Sequence, residues 1–443
     1  MHYTKHLSPE LRKQYRYLQI YSFFRFWFLG YWIVFQPLYF LSIGFSLTEV
    51  LLNAAIAPIL SLVFQNTWSK IVDQTQNVKK YILIGDLAMA LASTMTFHVD
   101  SFFMMIIITF IAQCAPNSNS LSAILVYNLS DKVTGISDDL TEKRYHNINL
   151  FARYRRFGSI GWAIGLPIMG LILNITGLGI NFFICSIGLI FLTIWFFLAI
   201  KEKIILTSHH PIEYTSCPEQ VIPIEKVHKK SSLLQNYRKL FKNRIYFSFI
   251  FASLFYAIAF RSTISVQGLF YNIFSNDNYF ILVWVYSIAA LAEWPVMTIV
   301  AKQVKKIGWK NVIIISYILS GIRMIFMPFI VIFFGNIYWG YLLQITAGIL
   351  FGLRWPSATF GIYISLPKDQ KAIGQSFSWS IELIGGFLGG IIGAAISMII
   401  LDENLNYFYI HWIAGIIAII SGLVFIISIR KYRDKGTKNP PQK

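Results

Sequence analysis

Hydrophobic residues in this chain neither alternate with polar ones nor recur at amphipathic spacing; they form long continuous runs. Twelve such runs lie near 17–41, 48–68, 81–99, 102–127, 157–175, 179–200, 245–271, 279–300, 311–334, 337–366, 373–399 and 407–429. Each is close to the roughly 20 residues that a helix needs to cross a bilayer. Unbroken runs of that length predict helices rather than barrel strands, in which lipid-facing and inward residues alternate. The polar segments between runs are short, with one exception. From about Lys201 to Arg244 the chain is polar, holds Pro211, Pro218 and Pro223, and is basic in its second half. That stretch divides the runs six and six. The pattern predicts an all-α membrane protein with twelve transmembrane helices in two six-helix bundles. The first bundle is expected at 1–200, a cytoplasmic connector at 201–244, and the second bundle with a basic cytoplasmic tail at 245–443.

Composition agrees, since 56% of the residues are hydrophobic and only 13% are charged, outside the usual range of soluble domains. The net charge of +18 raises the question of a nucleic-acid partner, so its distribution matters more than its size. Of the 38 Lys and Arg residues, 34 fall in the amino-terminal segment, the alternate loops and the carboxyl tail, and the remaining loops hold none. Basic residues are retained on the cytoplasmic side during insertion, so this partition predicts a cell-membrane protein with both termini cytoplasmic and an even number of spans. The charge is topological, and with no soluble domain to carry a basic patch, nucleic acid is excluded as a partner. The opening "MHYTKHLSPELRKQYRY" lacks the pattern of a cleaved signal peptide. Cys114 and Cys185 lie in spans and Cys217 in the connector, so neither a disulfide framework nor a thiolate metal site is expected, and no cofactor is implied. Asn174 heads an Asn-Ile-Thr sequon, which its very short outer loop makes a chance match.

Equal halves joined by a long connector suggest the duplicated bundles of secondary transporters, with a central site between them. The repeat is visible in two basic turns, "SKIVDQTQNVKK" (69–80) after the second run and "AKQVKKIGWKN" (301–311) after the eighth. These turns resemble the major facilitator superfamily motif G-x-x-x-D-R-x-G-R-K. Ser69 stands at the first glycine and Asp73 at the acidic position, while Ala301, Gly308 and Lys310 match in the second copy. The chain departs from the motif where both copies lack the first glycine, where Gln74 replaces the arginine, and at Lys305. The resemblance implies a cytoplasmic gate role for Asp73; the alternative is a solvated charge balancing nearby lysines. "RYRRFGSIGWAIGLPIMG" (153–170) and "ILFGLRWPSATFGIYISLPKDQKAIGQSFSW" (349–379) resemble helices 5, 10 and 11 of the branch containing oligosaccharide and nucleoside proton symporters. Together with "AEWP" (292–295), the similarity covers most of the chain and implies the major facilitator fold. "GWAIGLPIMG" (161–170) is also similar to a pattern of drug and proton antiporters, with one extra residue before Pro167. Gly158, Gly161, Gly165 and Gly170, and again Gly385, Gly386, Gly389, Gly390 and Gly393, recur at helical spacing and predict close helix approach.

Apart from Glu49 and Asp86, six charged residues interrupt the runs in places where an ionisable group costs about 2.5 to 3.5 kcal/mol. Counted from helix ends at about 1.5 Å per residue, Glu293, Arg323 and Arg354 lie about 18 to 25 Å deep. Glu382 and Arg25 fall in the inner half and Arg261 in the outer half. The expectation is an ion-pair network among Glu293, Glu382, Arg323 and Arg354. A carboxylate in apolar surroundings holds its proton toward neutral pH, and an approaching arginine favours its release; alternation between the two ties protonation to conformation. The resemblance implies an acid of the carboxyl-terminal bundle in this role, Glu293 first and Glu382 second. A static pair that fixes packing is the alternative.

If the family architecture holds, helices 1, 4, 7 and 10 line the substrate site. They offer Arg25, Gln36, Gln113, Asn117, Asn119, Tyr256, Arg261, Gln267, Arg354 and Trp355, with Trp27, Trp294 and Trp379 as further rings. Amides, guanidiniums and indoles suit a polar, ring-bearing solute or a small anion. Asp86, near the cytoplasmic end of its run, reads as structural. There is no phosphate-binding Gly-x-x-x-x-Gly-Lys-(Ser/Thr) for a primary pump. His98 and His411 are single, and His209 and His210 lie in the connector, so neither a catalytic nor a metal cluster is expected. The reading is therefore a non-enzymatic secondary transporter working by alternating access: a monomeric proton symporter for a sugar or nucleoside-like solute. The alternatives are a proton-coupled efflux antiporter and a transport-inactive sensor or scaffold, the latter disfavoured by the six intramembrane charges.

Overall fold

A computed structural model describes residues 7–75, 77–131, 140–201, 205, 240–366, 370–400 and 402–436. Among the described residues, thirteen long helices make up the membrane-spanning body: α1 (Pro9–Ser42), α2 (Leu47–Thr75), α3 (Val78–Phe97), α4 (Phe102–Cys114), α5 (Ser118–Asp131), α6 (Leu140–Thr176), α7 (Ile180–Ala199), α8 (Arg244–Ser275), α9 (Tyr279–Ile307), α10 (Trp309–Phe334), α11 (Ile337–Ser365), α12 (Lys371–Ile399) and α13 (Glu403–Gly436). Short polar residues start many of them. Asn77, Asn243, Asn278 and Asn336 each accept a hydrogen bond from a first-turn amide, as do Ser8 and Ser101, satisfying donors that a helix start leaves free.

Thirteen helices make twelve spans because the fourth is broken. The sequence predicts one helix over 102–127, whereas the chain leaves helical geometry at Ala115, whose backbone is extended, and resumes at Ser118. Pro116 lacks an amide hydrogen and disfavours helix in the residue before it. The groups freed at the break are taken up by α2. Gln65 Nε2 donates to the Ala115 carbonyl at 3.1 Å, the Asn117 amide donates to Gln65 Oε1 at 3.1 Å, and Trp68 Nε1 donates to the Cys114 carbonyl at 2.6 Å. From α3, Gly85 lets the Pro116 carbonyl approach closer than any side chain would permit. Among the described residues, nine spans are apolar enough to be read from hydropathy alone. The other three, α1, α3 and α11, carry the buried Arg25, Asp86 and Arg354. Helices α1 and α6 begin well before their apolar runs, at Pro9 and Leu140, because hydropathy marks only the part that lipid surrounds.

Within the first bundle α1 packs on α6 and α7, and α3 on α7; within the second, α8 packs on α12 and α13, and α10 on α11 and α13. The bundles meet through α6 on α9 and α2 on α12. The start of α1 and the end of α13, twelve spans apart, lie at one end of the molecule, the terminus end. At the opposite end one hydrophobic core draws on both bundles, from Phe35 and Phe182 to Phe270 and Tyr407. At the terminus end the core divides. One cluster around Tyr21, Leu125 and Phe196 belongs to the first bundle, and another around Phe249, Tyr317 and Phe425 to the second. The bundles are fused at one end and separately packed at the other.

Candidate functional site

The antiparallel pair α2 and α12 marks where the fusion stops. Starting at the end remote from the termini, Thr48 and Ser397 share a hydrogen bond at 2.9 Å. Further along, Leu51, Ala55 and Pro58 face Gly393, Gly390 and Gly386 in turn, and a side-chain carbon at Gly390 would lie 2.6 Å from Ala55. The same face of α12 continues through Glu382, Trp379 and Gln375, because steps of three and four residues keep one side of a helix. Glu382 is 13% exposed, Trp379 37%, and Gln375 lies in the open. Exposure therefore rises along this face beyond Gly386, toward the end where the two bundles pack apart, and its polar residues form a wall facing that gap.

Arg354 of α11 reaches that wall. Its Nη1 donates to Glu382 Oε1 at 2.7 Å, and its guanidinium carbon lies 4.8 Å from the centre of the Tyr256 ring, with Phe260, Phe351 and Trp355 within 5.8 Å. Trp355 meets Trp379 edge to face at 5.7 Å. Arg261 of α8 lies beside Gly386, and the charges acting on it are those of Glu382 and Arg354. Its Nε and that of Arg354 are buried with no hydrogen-bond partner among the described residues. Gln267 is partly exposed on α8.

Glu293 lies apart from this group, which corrects the expected four-member network. Gly352 of α11 packs on the α9 backbone at Glu293. Arg354, two residues on, is turned about 200° away from that contact and cannot meet the Glu293 carboxylate. Glu293 crosses instead to the first bundle, where Ser159 Oγ donates to its Oε1 at 3.4 Å. Arg155, one turn earlier on α6, supplies the positive charge acting on it. Arg155 stacks on Phe26 at 4.2 Å, and its Nη1 is buried without a hydrogen-bond partner among the described residues. Arg323 is likewise outside the network, folded along its own helix with Nη1 4.0 Å from Met327 Sδ. Trp294 is 45% exposed.

Most of the candidates from the first bundle are engaged by their own bundle. Arg25 Nε pairs with Asp86 Oδ1 at 2.8 Å, Tyr21 donates to Asp86 Oδ2 at 2.6 Å, and Arg25 Nη1 donates to Asn119 Oδ1. Gln113 Oε1 accepts from Ser61 Oγ at 2.5 Å, and Asn117 Oδ1 accepts from the amides of Asn119 and Ser120 at the start of α5. Gln36 Nε2 is buried without a partner among the described residues. The side chain of Asp73 and the connector residues 206–239 lie outside the described residues.

Sequence reasoning missed the seam remote from the termini. Asn174, set aside as a chance sequon, donates through Nδ2 to Asn278 Oδ1 at 2.9 Å and accepts from the Tyr279 amide at 2.8 Å, stapling α6 to α9. The only signal for it was an asparagine at each of two matching helix ends.

A profile of the MFS_1 like family matches residues 15–411. No curated protein sequence matches the chain. Among solved structures, a mutant form of the nucleoside transporter NupG is similar with a TM-score of 0.73 and 16% identity, over 94% of this chain and 99% of that one. A bacterial homologue of the human lysosomal transporter Spinster, solved inward-facing and unoccupied, has a TM-score of 0.68 and 12% identity, over 96% and 98%. The POT family transporter PepTSo has a TM-score of 0.64 and 13% identity, over 95% and 98%. At these identities the likeness is one of fold.

Proposed function

The chain belongs to the MFS_1 like family, and on that premise we propose that it is a secondary active transporter working by alternating access, a proton symporter for a polar, ring-bearing organic solute. The membrane is the cell membrane, with both termini in the cytoplasm, so the gap between the bundles opens inward. The connector at 201–244 tethers the two halves, and Asp73 helps to close the cytoplasmic end in the opposite state. The solved nucleoside transporter with this fold makes nucleosides the first solutes to try.

The observation that carries proton coupling is the bond from Ser159 to Glu293. Donor and acceptor belong to different bundles, so any rocking of one bundle against the other changes the surroundings of the carboxylate. Arg155 and Ser159 stabilise the charged form of the carboxylate while they are close, and their withdrawal removes that stabilisation. Proton uptake and release are thereby tied to which side is open. The Arg354–Glu382 pair lies within one bundle and moves as a unit, which suits solute contact.

Proteoliposomes holding the purified protein under an imposed pH gradient test this reading. Solute should accumulate along with inward protons, and Glu293→Gln should abolish accumulation while sparing solute exchange. Undiminished accumulation by that variant removes Glu293 from the mechanism. Movement of solute against the proton flux would instead identify an antiporter.

A further inference from the structure

We propose that the solute is an organic anion with a single net negative charge on or beside a ring, bound between Arg261 and Arg354; this deepens the transporter reading and rests on it. At the wall facing the gap the charges do not balance. Two guanidiniums, Arg261 and Arg354, share one carboxylate, Glu382. Glu293, the other intramembrane acid of the second bundle, is turned to Ser159 and Arg155 and does not offset them. Arg323 of α10 is a further cation in this bundle, facing Tyr256 and Tyr271. Among the described residues the site therefore holds one positive charge in excess. An uncompensated arginine within the membrane is costly enough that such residues ordinarily have a partner or a function.

Hydrogen-bonding capacity leads to the same class of ligand. A guanidinium has five N–H donors and no acceptor, and only one nitrogen of Arg354 is engaged by Glu382. The buried Nε atoms of both arginines lack partners among the described residues. A carboxylate or a phosphate ester matches such donors with two oxygens at once, whereas a neutral sugar or nucleoside leaves the excess charge in place. Trp355 and Trp379 supply the ring-stacking surface beside the guanidiniums. Glu382 then competes with the ligand for Arg354. Loss of its charge should therefore strengthen anion binding, whereas a purely structural ion pair would only lose stability.

The test uses the full-length protein in detergent and three pairs of probes that share a ring: nicotinate and nicotinamide, benzoate and benzamide, indole-3-acetate and indole-3-acetamide. At least one anion should bind about tenfold or more tightly than its neutral twin, the scale of one charged hydrogen bond. Arg261→Gln should reduce that preference about tenfold, and Arg261→Lys, which keeps charge but loses the fork, should restore part of it. Glu382→Gln should raise anion affinity several-fold, on the scale of removing one competing charged bond. If no anion outbinds its twin, if none binds, or if Arg261→Gln keeps the preference, the inference is wrong. Proton-driven accumulation of a neutral solute would defeat it while leaving the transporter reading intact.

Discussion

Ser159 of α6 donates a hydrogen bond to the Glu293 carboxylate of α9 at 3.4 Å, joining one bundle to the other part-way through the membrane. Its neighbours on the seam are of a different kind: Asn174 with Asn278, and Thr48 with Ser397, lie at the end where the bundles are fused. The Ser159 bond is the one of the three that engages a titratable group. It also lies along the seam toward the end where the bundles pack apart, so a change in its length is coupled to opening and closing.

Removal of that hydroxyl should shift the balance between states. Ser159→Ala forfeits a bond to a charged acceptor, about 1.5 to 3 kcal/mol, in the present state only. Spin labels at Thr67 and Gln375, both exposed toward the terminus end, should report a larger short-distance population in the variant. An unchanged distance distribution would mean that the bond does not bias the two states.

The glycine seam should act as a wedge point. A valine at Gly390 would collide with Ala55, which a single added carbon already approaches to 2.6 Å. Gly390→Val should keep α2 and α12 apart and expose the Thr48–Ser397 contact. A cysteine at Thr48 should then react with a membrane-impermeant maleimide added on the side remote from the termini, and it should be protected without the wedge. Equal labelling in both backgrounds would contradict this role for the seam.

Asp86 should prove structural. It is fully buried and is engaged by both Arg25 and Tyr21, and breaking a buried pair by removing one charge costs about 3 to 5 kcal/mol. Asp86→Asn should lower the thermal unfolding midpoint in detergent markedly, and the double change Arg25→Met with Asp86→Leu should recover much of the loss. A single variant as stable as the parent would show that the pair does not hold the bundle.

The break in the fourth span should depend on α2. Gln65→Leu strands the Ala115 carbonyl and the Asn117 amide, at about 1 to 3 kcal/mol for each unsatisfied group. Hydrogen exchange should accelerate at Asn117 while α7 is unaffected. Unchanged protection at Asn117 would show that the break holds itself.

Much of the architecture is legible in the residues because lipid offers no hydrogen bonds. Every backbone group that faces lipid must be satisfied within its own helix, so long apolar runs translate directly into helices, and their division by the connector into two bundles. The same logic hides the break at Ala115. Hydropathy averages across Pro116, and the groups it frees are satisfied by Gln65 and Trp68, some fifty positions earlier in the chain.

The sequence by itself determined which charged residues lie within the spans and at what depth, because depth along a helix follows from counting residues. Which of them meet was decided by the tertiary structure. Arg354 finds Glu382 while Glu293, at similar depth, finds Ser159 and the charge of Arg155. The reason is rotational: a helix turns about 100° per residue, and the direction in which each side chain points is set only when close-packed faces such as Gly352 on α9 and Gly390 on Ala55 lock the helices against one another. Length and hydropathy carry no information about that rotation.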